Sequence, residues 1–150
     1  MTSANVRGQL QMTKTAIRAL SGYAPCVFRP PYGAIDRSVL DIARSIGLAT
    51  ITWNVDPRDW ALPGVGAIEA RVLSQVTPGS IILSHDGGGP RGQTLAAYPS
   101  IIATLRRRGY SFETVPQLLG FRGIYRRCRL KCGEAAIEGR LPRESIIEAG

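Results

Sequence analysis

The sequence contains one histidine, His85, and three cysteines among its 150 residues. Protein zinc sites usually take about three or four ligands from histidine, cysteine and carboxylate side chains, so this composition excludes a histidine-rich metal centre. Cys26, Cys128 and Cys132 form an odd set without regular spacing, which does not suggest a disulfide scaffold. We therefore expect the three cysteines to be free thiols.

Long apolar runs and a leader-like beginning are missing as well. No apolar stretch approaches the roughly 20 residues that a membrane-spanning helix needs. The first 11 residues are polar and mixed rather than basic and then apolar, so they predict no secretory signal and leave the compartment open. Apolar residues make up 44% and charged residues 20% of the chain, which is typical of a globular domain.

Lysine is scarce although the chain is strongly basic. Only Lys14 and Lys131 are lysines among the 19 basic residues, and the net charge is +8. Arginines cluster at 106–108 and again between 122 and 131. One interpretation is a solvated helix end with a basic tail, and the other is a docking surface for a polyanion such as a cell-wall polymer. No nucleic-acid-binding motif accompanies these arginines, so we expect no nucleic-acid partner.

Helix-like and strand-like patterns alternate along the chain. Helices are predicted over 6–20, 37–46, 67–76, 95–108 and 115–119, and strands over 26–28, 48–53, 80–84 and 110–112. This alternation predicts an α/β fold whose parallel strands are joined by helical crossovers, as an open sheet or closed into a barrel. Because the chain becomes basic and polar from residue 121, we predict a domain over 1–120 and an appendage over 121–150.

Three polar residues follow three of the predicted strands. Arg29, Asp56 and His85 each come just after the carboxyl end of a strand, at intervals of about one βα unit. In α/β barrels and open parallel sheets, active sites form at this edge. The sequence therefore predicts that these side chains converge on one rim.

The first informative string is Phe28-Arg29-Pro30-Pro31-Tyr32-Gly33. Its two prolines fix the backbone after a strand, and such a rigid turn can aim the following amide, that of Tyr32, into a cleft. An aimed backbone N–H is what a tetrahedral oxyanion requires. The alternative is a stiff strand-to-helix loop in which Arg29 forms a salt bridge.

The second string runs from Trp53 to Trp60 and contains two carboxylates, Asp56 and Asp59. Indole rings offer flat apolar walls and carboxylates orient charged partners, a combination that suits a sugar site. The alternative is an ordinary loop in which the aspartates cap turns and the tryptophans pack.

The third string, Leu83-Ser84-His85-Asp86, places the single histidine at a strand end. An imidazole there can act as a general acid or base. A lone histidine is also often a structural or surface residue, and that alternative stays open. Gly87 to Gly89 follow without the Lys-Ser/Thr ending of a phosphate-binding loop, so we interpret them as a rim loop.

In this order and spacing, the three strings resemble the polysaccharide deacetylase family, also known as the NodB-homology domain or carbohydrate esterase family 4. Phe28–Gly33 resembles the third motif of that family, Asp56–Trp60 its fourth, Asp-x-x-Asp-Trp, and Leu83–His85 its fifth, Leu-x-His. The resemblance covers roughly residues 8–120. It implies a partial (β/α) barrel, similar to the C-terminal half of the family's deformed barrel.

The resemblance also implies roles for the motif residues. His85 would protonate the leaving amine or alcohol, and Asp59 would orient and tune His85. The Tyr32 amide would contribute to the oxyanion hole, and Arg29 would position the catalytic base. Trp60 and Leu83 would line the wall around the acetyl methyl group, and Asp56 would contribute to substrate binding. The implied partner is an acetylated polysaccharide resembling chitin, peptidoglycan or xylan.

The family's first two motifs, Phe-Asp-Asp-Gly and His-x-x-x-His, do not occur in the sequence. In the family they supply the base and the ligands of a divalent metal such as zinc, so those ligands are absent here and activity of this chain alone is doubtful. We expect an N-terminally truncated deacetylase-family chain that self-associates or pairs with a missing half. The alternatives are a non-catalytic carbohydrate-binding remnant and a basic interaction module over residues 106–132.

Overall fold

The computed structural model describes residues 2–120 and the backbone of a strand over residues 145–149. These residues form two compact units: residues 2–52, and residues 53–120 together with the strand at 145–149. Within the described residues, no helix has the length and apolar character needed to cross a membrane.

The first unit begins with helix α1, Ser3–Ser21. Thr2 caps its N-terminus by accepting a hydrogen bond from the Asn5 amide. Gly22 ends it in the left-handed conformation, with φ of 77°, and its N–H donates to the Arg18 carbonyl. None of the residues of α1 is buried, so this helix contributes little to the core of the unit.

A small parallel sheet forms the rest of the first unit. Strand β1, Val27–Phe28, pairs with β2, Ala49–Thr50, and helix α2, Arg37–Ser45, connects them. The Asp36 carboxylate caps α2 by accepting from the Val39 amide at 2.8 Å. This strand–helix–strand arrangement is the parallel crossover that the sequence predicts.

The second unit contains three helices and three strands. The helices are α3, Val65–Gln75, α4, Gly92–Arg107, and the short α5, Val115–Leu118. The strands are β3, Ile81–Leu83, β4, Ser111–Glu113, and β5, Ser145–Ala149. All pairs are parallel, and the order in the sheet is β3-β5-β4.

The core of the second unit lies between helices α3 and α4 and strand β3. Its buried apolar residues recur at helical spacing on α3 and α4 and are joined by Val55 from the preceding loop. The cluster consists of Val55, Ile68, Val72, Ile82, Ala97, Ile101 and Leu105.

Most predicted elements are present with shifted ends, and three observations differ from the expectations. The strand expected over 48–53 is only Ala49–Thr50, and Ser145–Ala149 forms a strand that the sequence pattern did not predict. Cys26 is disulfide-bonded, so the prediction of a free thiol is wrong there, because linear spacing does not reveal which thiols meet in space. Cys128 and Cys132 lie outside the described residues.

Candidate active site

Asp59 is the centre of a buried hydrogen-bond cluster in the second unit. It begins a short 3-10 turn, Asp59–Ala61, and it is 0% exposed. One carboxylate oxygen, Oδ1, accepts from the Trp60 amide at 2.9 Å and lies 2.8 Å from Nδ1 of His85. The other, Oδ2, accepts from the His85 amide at 2.8 Å and from the Thr94 hydroxyl at 3.0 Å. Two bonds on each oxygen fill the usual accepting positions of a carboxylate.

These bonds keep Asp59 ionised although it is buried. Burial is the largest single influence and by itself raises the pKa of Asp59. The opposing hydrogen bonds from the His85 ring, the His85 amide and the Thr94 hydroxyl, helped by the charge of His85, together outweigh it. The pKa of Asp59 is therefore held below its usual range, and the carboxylate acts as a fixed acceptor rather than as a proton carrier.

The contact with Asp59 fixes which nitrogen of His85 is available. An ionised carboxylate only accepts hydrogen bonds, so Nδ1 carries the proton of this pair. The remaining ring nitrogen, Nε2, is then the one that can exchange a proton with a substrate. The side chain of His85 is 29% exposed, whereas that of Asp59 is 0% exposed, so the pair has one buried and one accessible member.

Backbone hydrogen bonds bring together the two chain segments that precede Asp59 and His85. Val55 forms an isolated parallel bridge with Ile82, and the Leu83 amide donates to the Val55 carbonyl at 2.9 Å. Asp56 and His85 therefore follow neighbouring extended segments at the same edge, as expected for the carboxyl ends of parallel strands.

The loop after Val55 is held in an uncommon conformation. Arg58 has a positive φ of 54°, and its amide donates to the Asp56 carboxylate at 2.7 Å. The Arg71 guanidinium on α3 donates to the Pro57 carbonyl at 2.8 Å. Left-handed backbone at a residue other than glycine is uncommon and requires support from its surroundings. These two contacts provide it and deliver Asp59 to its buried position.

Trp60, Asp56 and Leu83 have different surroundings. Trp60 is 49% exposed, and the Arg58 guanidinium lies 5.3 Å from the centre of its ring. Asp56 is half-buried and accepts from the Arg58 amide, so it shapes the loop. Leu83 is buried in β3 and comes two residues before His85, the spacing of side chains on one face of a strand.

Arg29 and Tyr32 belong to the first unit. Both side chains are exposed, and Tyr32 has a positive φ of 57° within the turn Pro31–Gly33. Asp56 and His85 belong to the second unit, and the convergence of Arg29 with them on one rim stays a prediction.

Thr94 was missed by the sequence analysis. It is 4% exposed and donates to Asp59, but the helical pattern predicts a helix start at Leu95, whereas α4 begins at Gly92. The signal that could have found it is the helical spacing of Thr94 with Ala97 and Ile101, which places it on the core face of α4.

A sequence profile of the polysaccharide deacetylase family matches residues 1–51. The peptidoglycan-N-acetylglucosamine deacetylase of Bacillus cereus is 44% identical over 100 residues, covering 65% of this chain and 47% of that protein. The chain carries part of a polysaccharide deacetylase family domain. The Asp59–His85 pair lies in the segment after this profile match.

Two further members of the family show how much of it the chain spans. A chitooligosaccharide deacetylase of Bradyrhizobium is 39% identical over 127 residues, covering 77% of this chain and 58% of that protein. A carbohydrate esterase family 4 pseudoenzyme from Bacillus anthracis superposes with a TM-score of 0.73 at 32% identity, over 79% of this chain and 41% of its own. The chain thus spans about half the length of the relatives it matches.

The described residues do not fit the metal of this family. Within residues 2–120, no three histidine, cysteine or carboxylate side chains lie close enough together to hold an ion. Asp59 has no accepting position left, because all four are taken by Trp60, His85 and Thr94. On His85, only Nε2 is left for a further contact, and a single nitrogen does not make a metal site.

The arginines at the end of α4 make contacts within the second unit. Arg106 lies over the ring of Phe112, and the Arg108 guanidinium donates to the Leu73 carbonyl at 2.7 Å. Arg107 donates to the Thr104 hydroxyl at 2.9 Å. These contacts favour the interpretation of this cluster as a helix end, since cations at a helix C-terminus also interact favourably with the helix dipole. The basic residues from 122 to 131 lie outside the described part of the chain.

Proposed function

We propose that this chain supplies the proton-donating side of a polysaccharide deacetylase site, which removes N- or O-acetyl groups from a polymer resembling chitin, peptidoglycan or xylan. The observation that carries the proposal is the buried Asp59 carboxylate, 2.8 Å from Nδ1 of a partly exposed His85. This pair leaves Nε2 of the imidazole as the group that exchanges a proton.

The proposed step is the breakdown of the tetrahedral intermediate. Once water has added to the acetyl carbonyl carbon, the bond from that carbon to the sugar nitrogen or oxygen breaks, and its electron pair passes to the leaving atom. The Nε2–H of protonated His85 donates its proton to that atom, so acetate and a free amine or hydroxyl result. Asp59 stabilises the imidazolium before the transfer and keeps the proton of the neutral ring on Nδ1 afterwards.

The other motif residues have proposed roles around this step. Leu83, at the one-face spacing from His85, and the half-exposed Trp60 would enclose the acetyl methyl group, and Asp56 would contribute to the sugar site through its loop. Arg29 would position a base and the Tyr32 amide would stabilise the oxyanion. The family resemblance supports these four roles and also a partial (β/α) barrel built from the alternating elements.

The attacking water also needs a base, and Asp59 is fully engaged with its three partners. We therefore propose that the residues around His85 do not complete the reaction by themselves. To test this, acetate release from N-acetylchitopentaose is measured for the 150-residue chain with added zinc or cobalt, with His85→Ala as control. We expect no release above the control, and release that depends on His85 would overturn the proposal.

A chimera tests the proton-donating role itself. The matching 100-residue segment of the Bacillus cereus relative is replaced by that of this chain. We expect the chimera to release acetate from an acetylated glycan, and His85→Ala to lower its kcat by about 100-fold to 10,000-fold, the usual contribution of general acid–base catalysis. The exposed neighbour provides the matched control, since Asp86→Asn should leave the rate unchanged. A folded chimera in which His85→Ala has no effect would contradict the role of His85.

A second candidate function is metal-independent carbohydrate binding, favoured by Trp60. Its ring is 49% exposed beside the Arg58 guanidinium, and aromatic faces of this kind hold sugars by apolar contact. Titration calorimetry with N-acetylchitopentaose in the presence of a chelator tests it. Binding that Trp60→Ala abolishes would support this function, whereas the absence of heat or an unchanged affinity of the variant would remove it.

A further inference from the structure

Among the described residues, Thr94 is the donor that connects the Asp59 carboxylate to an α-helix, α4. Its hydroxyl lies 3.0 Å from Oδ2, and the residue is 4% exposed in the first turn of α4. The other three bonds come from the Trp60 amide, the His85 amide and the His85 ring. We infer that Thr94 is a positioning residue that locks the orientation of the Asp59 carboxylate and, through it, the Nδ1–H tautomer of His85.

The geometry of the carboxylate explains why this bond matters. Each oxygen has two donors, and on Oδ2 the partner of Thr94 is a backbone amide of the histidine segment. Without the hydroxyl, every remaining donor belongs to Trp60 or His85, so the carboxylate loses its link to α4. One buried accepting position would also be left without a partner, which favours rotation of the carboxylate towards another donor.

Helix α4, which carries Thr94, is packed into the core of the second unit. Ala97, Ile101 and Leu105 lie on the same face as Thr94 and are buried in the core. The residue before Thr94 also connects α4 to the start of α3, because the Gln93 side chain accepts from the amide of Gly64, the N-cap of α3, at 2.7 Å. The hydroxyl is therefore held at a fixed place relative to the core of the second unit.

Two substitutions of Thr94 distinguish a positioning role from a role in packing alone. Valine has the β-branched shape of threonine and suits the apolar face that Ala97, Ile101 and Leu105 form, so Thr94→Val retains the shape of the side chain and removes the hydroxyl group. Thr94→Ser retains the donor and removes only a methyl group. A purely structural threonine predicts that serine is the more harmful change, whereas a positioning threonine predicts that valine is.

The single histidine allows a direct measurement on the whole chain. In a sample with ¹⁵N-labelled histidine rings, at a pH where the ring is neutral, we expect well-separated Nδ1 and Nε2 shifts typical of the Nδ1–H form. Thr94→Val should move the two shifts towards each other, as both tautomers become populated, and Thr94→Ser should restore the original spectrum. Thr104→Val, at the other end of α4, is the matched control and should leave it unchanged. Two results would overturn the inference. One is that Thr94→Val has the same Nδ1 and Nε2 shifts as the wild-type chain, and the other is that the wild-type chain already shows a mixture of both tautomers.

The catalytic consequence rests on the proposed function and is tested in the chimera. There we expect Thr94→Val to lower kcat about tenfold with little change in KM, the factor expected for one modest hydrogen bond, with recovery in Thr94→Ser. An unchanged kcat in an active chimera would overturn this consequence. An inactive wild-type chimera would instead count against the proposed function, while the ring spectrum still decides the role of Thr94. If Thr94→Val does not fold, Thr94→Ala takes its place: converging ring shifts support the inference and unchanged shifts refute it.

Discussion

Replacing Asp59 by asparagine is the sharpest perturbation of the buried cluster, because it retains the shape and removes the charge. The introduced amide has one oxygen and one NH₂ group in place of two accepting oxygens. If its NH₂ group replaces Oδ2, it faces the amide N–H of His85. If it replaces Oδ1, it faces the amide N–H of Trp60. Either orientation leaves one buried backbone donor without an acceptor.

The magnitude follows from these contacts. A buried N–H without a partner destabilises the folded state by about 1–3 kcal/mol. The bond from the His85 ring also changes from a charge-assisted bond to a neutral one, which is roughly half as strong. Together we expect Asp59→Asn to lower the free energy of unfolding by about 2–5 kcal/mol, a large share of the roughly 5–15 kcal/mol typical of a domain.

Urea unfolding followed by tryptophan fluorescence measures this change. Both tryptophans, Trp53 and Trp60, belong to the second unit, so their signal reports on the unit that contains Asp59. The matched control is Asp86→Asn, which removes the same charge one residue after His85 at an exposed position and should stay within about 0.5 kcal/mol of wild type. If the two variants had equal midpoints, our account of the Asp59 hydrogen bonds would be refuted.

Three further predictions concern the second unit. Leu105→Ala opens a cavity in the core and should destabilise the unit by about 2–5 kcal/mol in the same assay, whereas Leu95→Ala, at a 66% exposed position, should change little. Ser80→Ala should cost about 1–3 kcal/mol, because the buried hydroxyl accepts from the Asn54 side chain at 3.1 Å; no loss would contradict that contact. The pKa of Asp59 is lowered in the folded chain, so its ionisation contributes to the free energy of unfolding. This contribution is fully present above the unfolded-state pKa of about 3.9, and it is lost as the pH falls through the lower folded-state pKa. The urea concentration at the unfolding midpoint should therefore decrease as the pH is lowered through this range, and it should decrease less steeply for Asp59→Asn.

The sequence predicts those elements best whose ends are marked by local chemistry. Helix α2 begins after Asp36, as predicted, because the Asp36 side chain caps its first turn, and it ends at Ser45, one residue before the predicted end at Ile46, with Gly47 in the left-handed conformation just beyond. Asp59 and His85, which the motif strings name, are hydrogen-bonded partners in the structure, and their catalytic roles stay a prediction. Family membership and the deacetylase relatives confirm the resemblance on which their roles were predicted.

The features that sequence reasoning missed depend on contacts between distant segments. Thr94 differs from any other threonine only through its distance to Asp59, which is 35 positions away along the chain. Strand β5 pairs with β3 and β4 from the far end of the sequence, where composition alone indicates a polar appendage. The disulfide at Cys26 also could not be predicted, because no sequence pattern around this residue distinguishes a bonded sulfur from a free one.

The distribution of the motif residues between the two units has a mechanistic consequence. Within the described residues, the hydrogen bonds of the Asp59 carboxylate come from Trp60, His85 and Thr94, all of which belong to the second unit. The residues proposed to position a base and to stabilise the oxyanion, Arg29 and Tyr32, belong to the first. The orientation of His85, the proposed proton donor, is therefore set by contacts within the second unit. It follows that the proposed acid can be correctly oriented in a chain that does not turn over, so a correctly oriented His85 supports the proposed role of this residue and is not, by itself, evidence for activity.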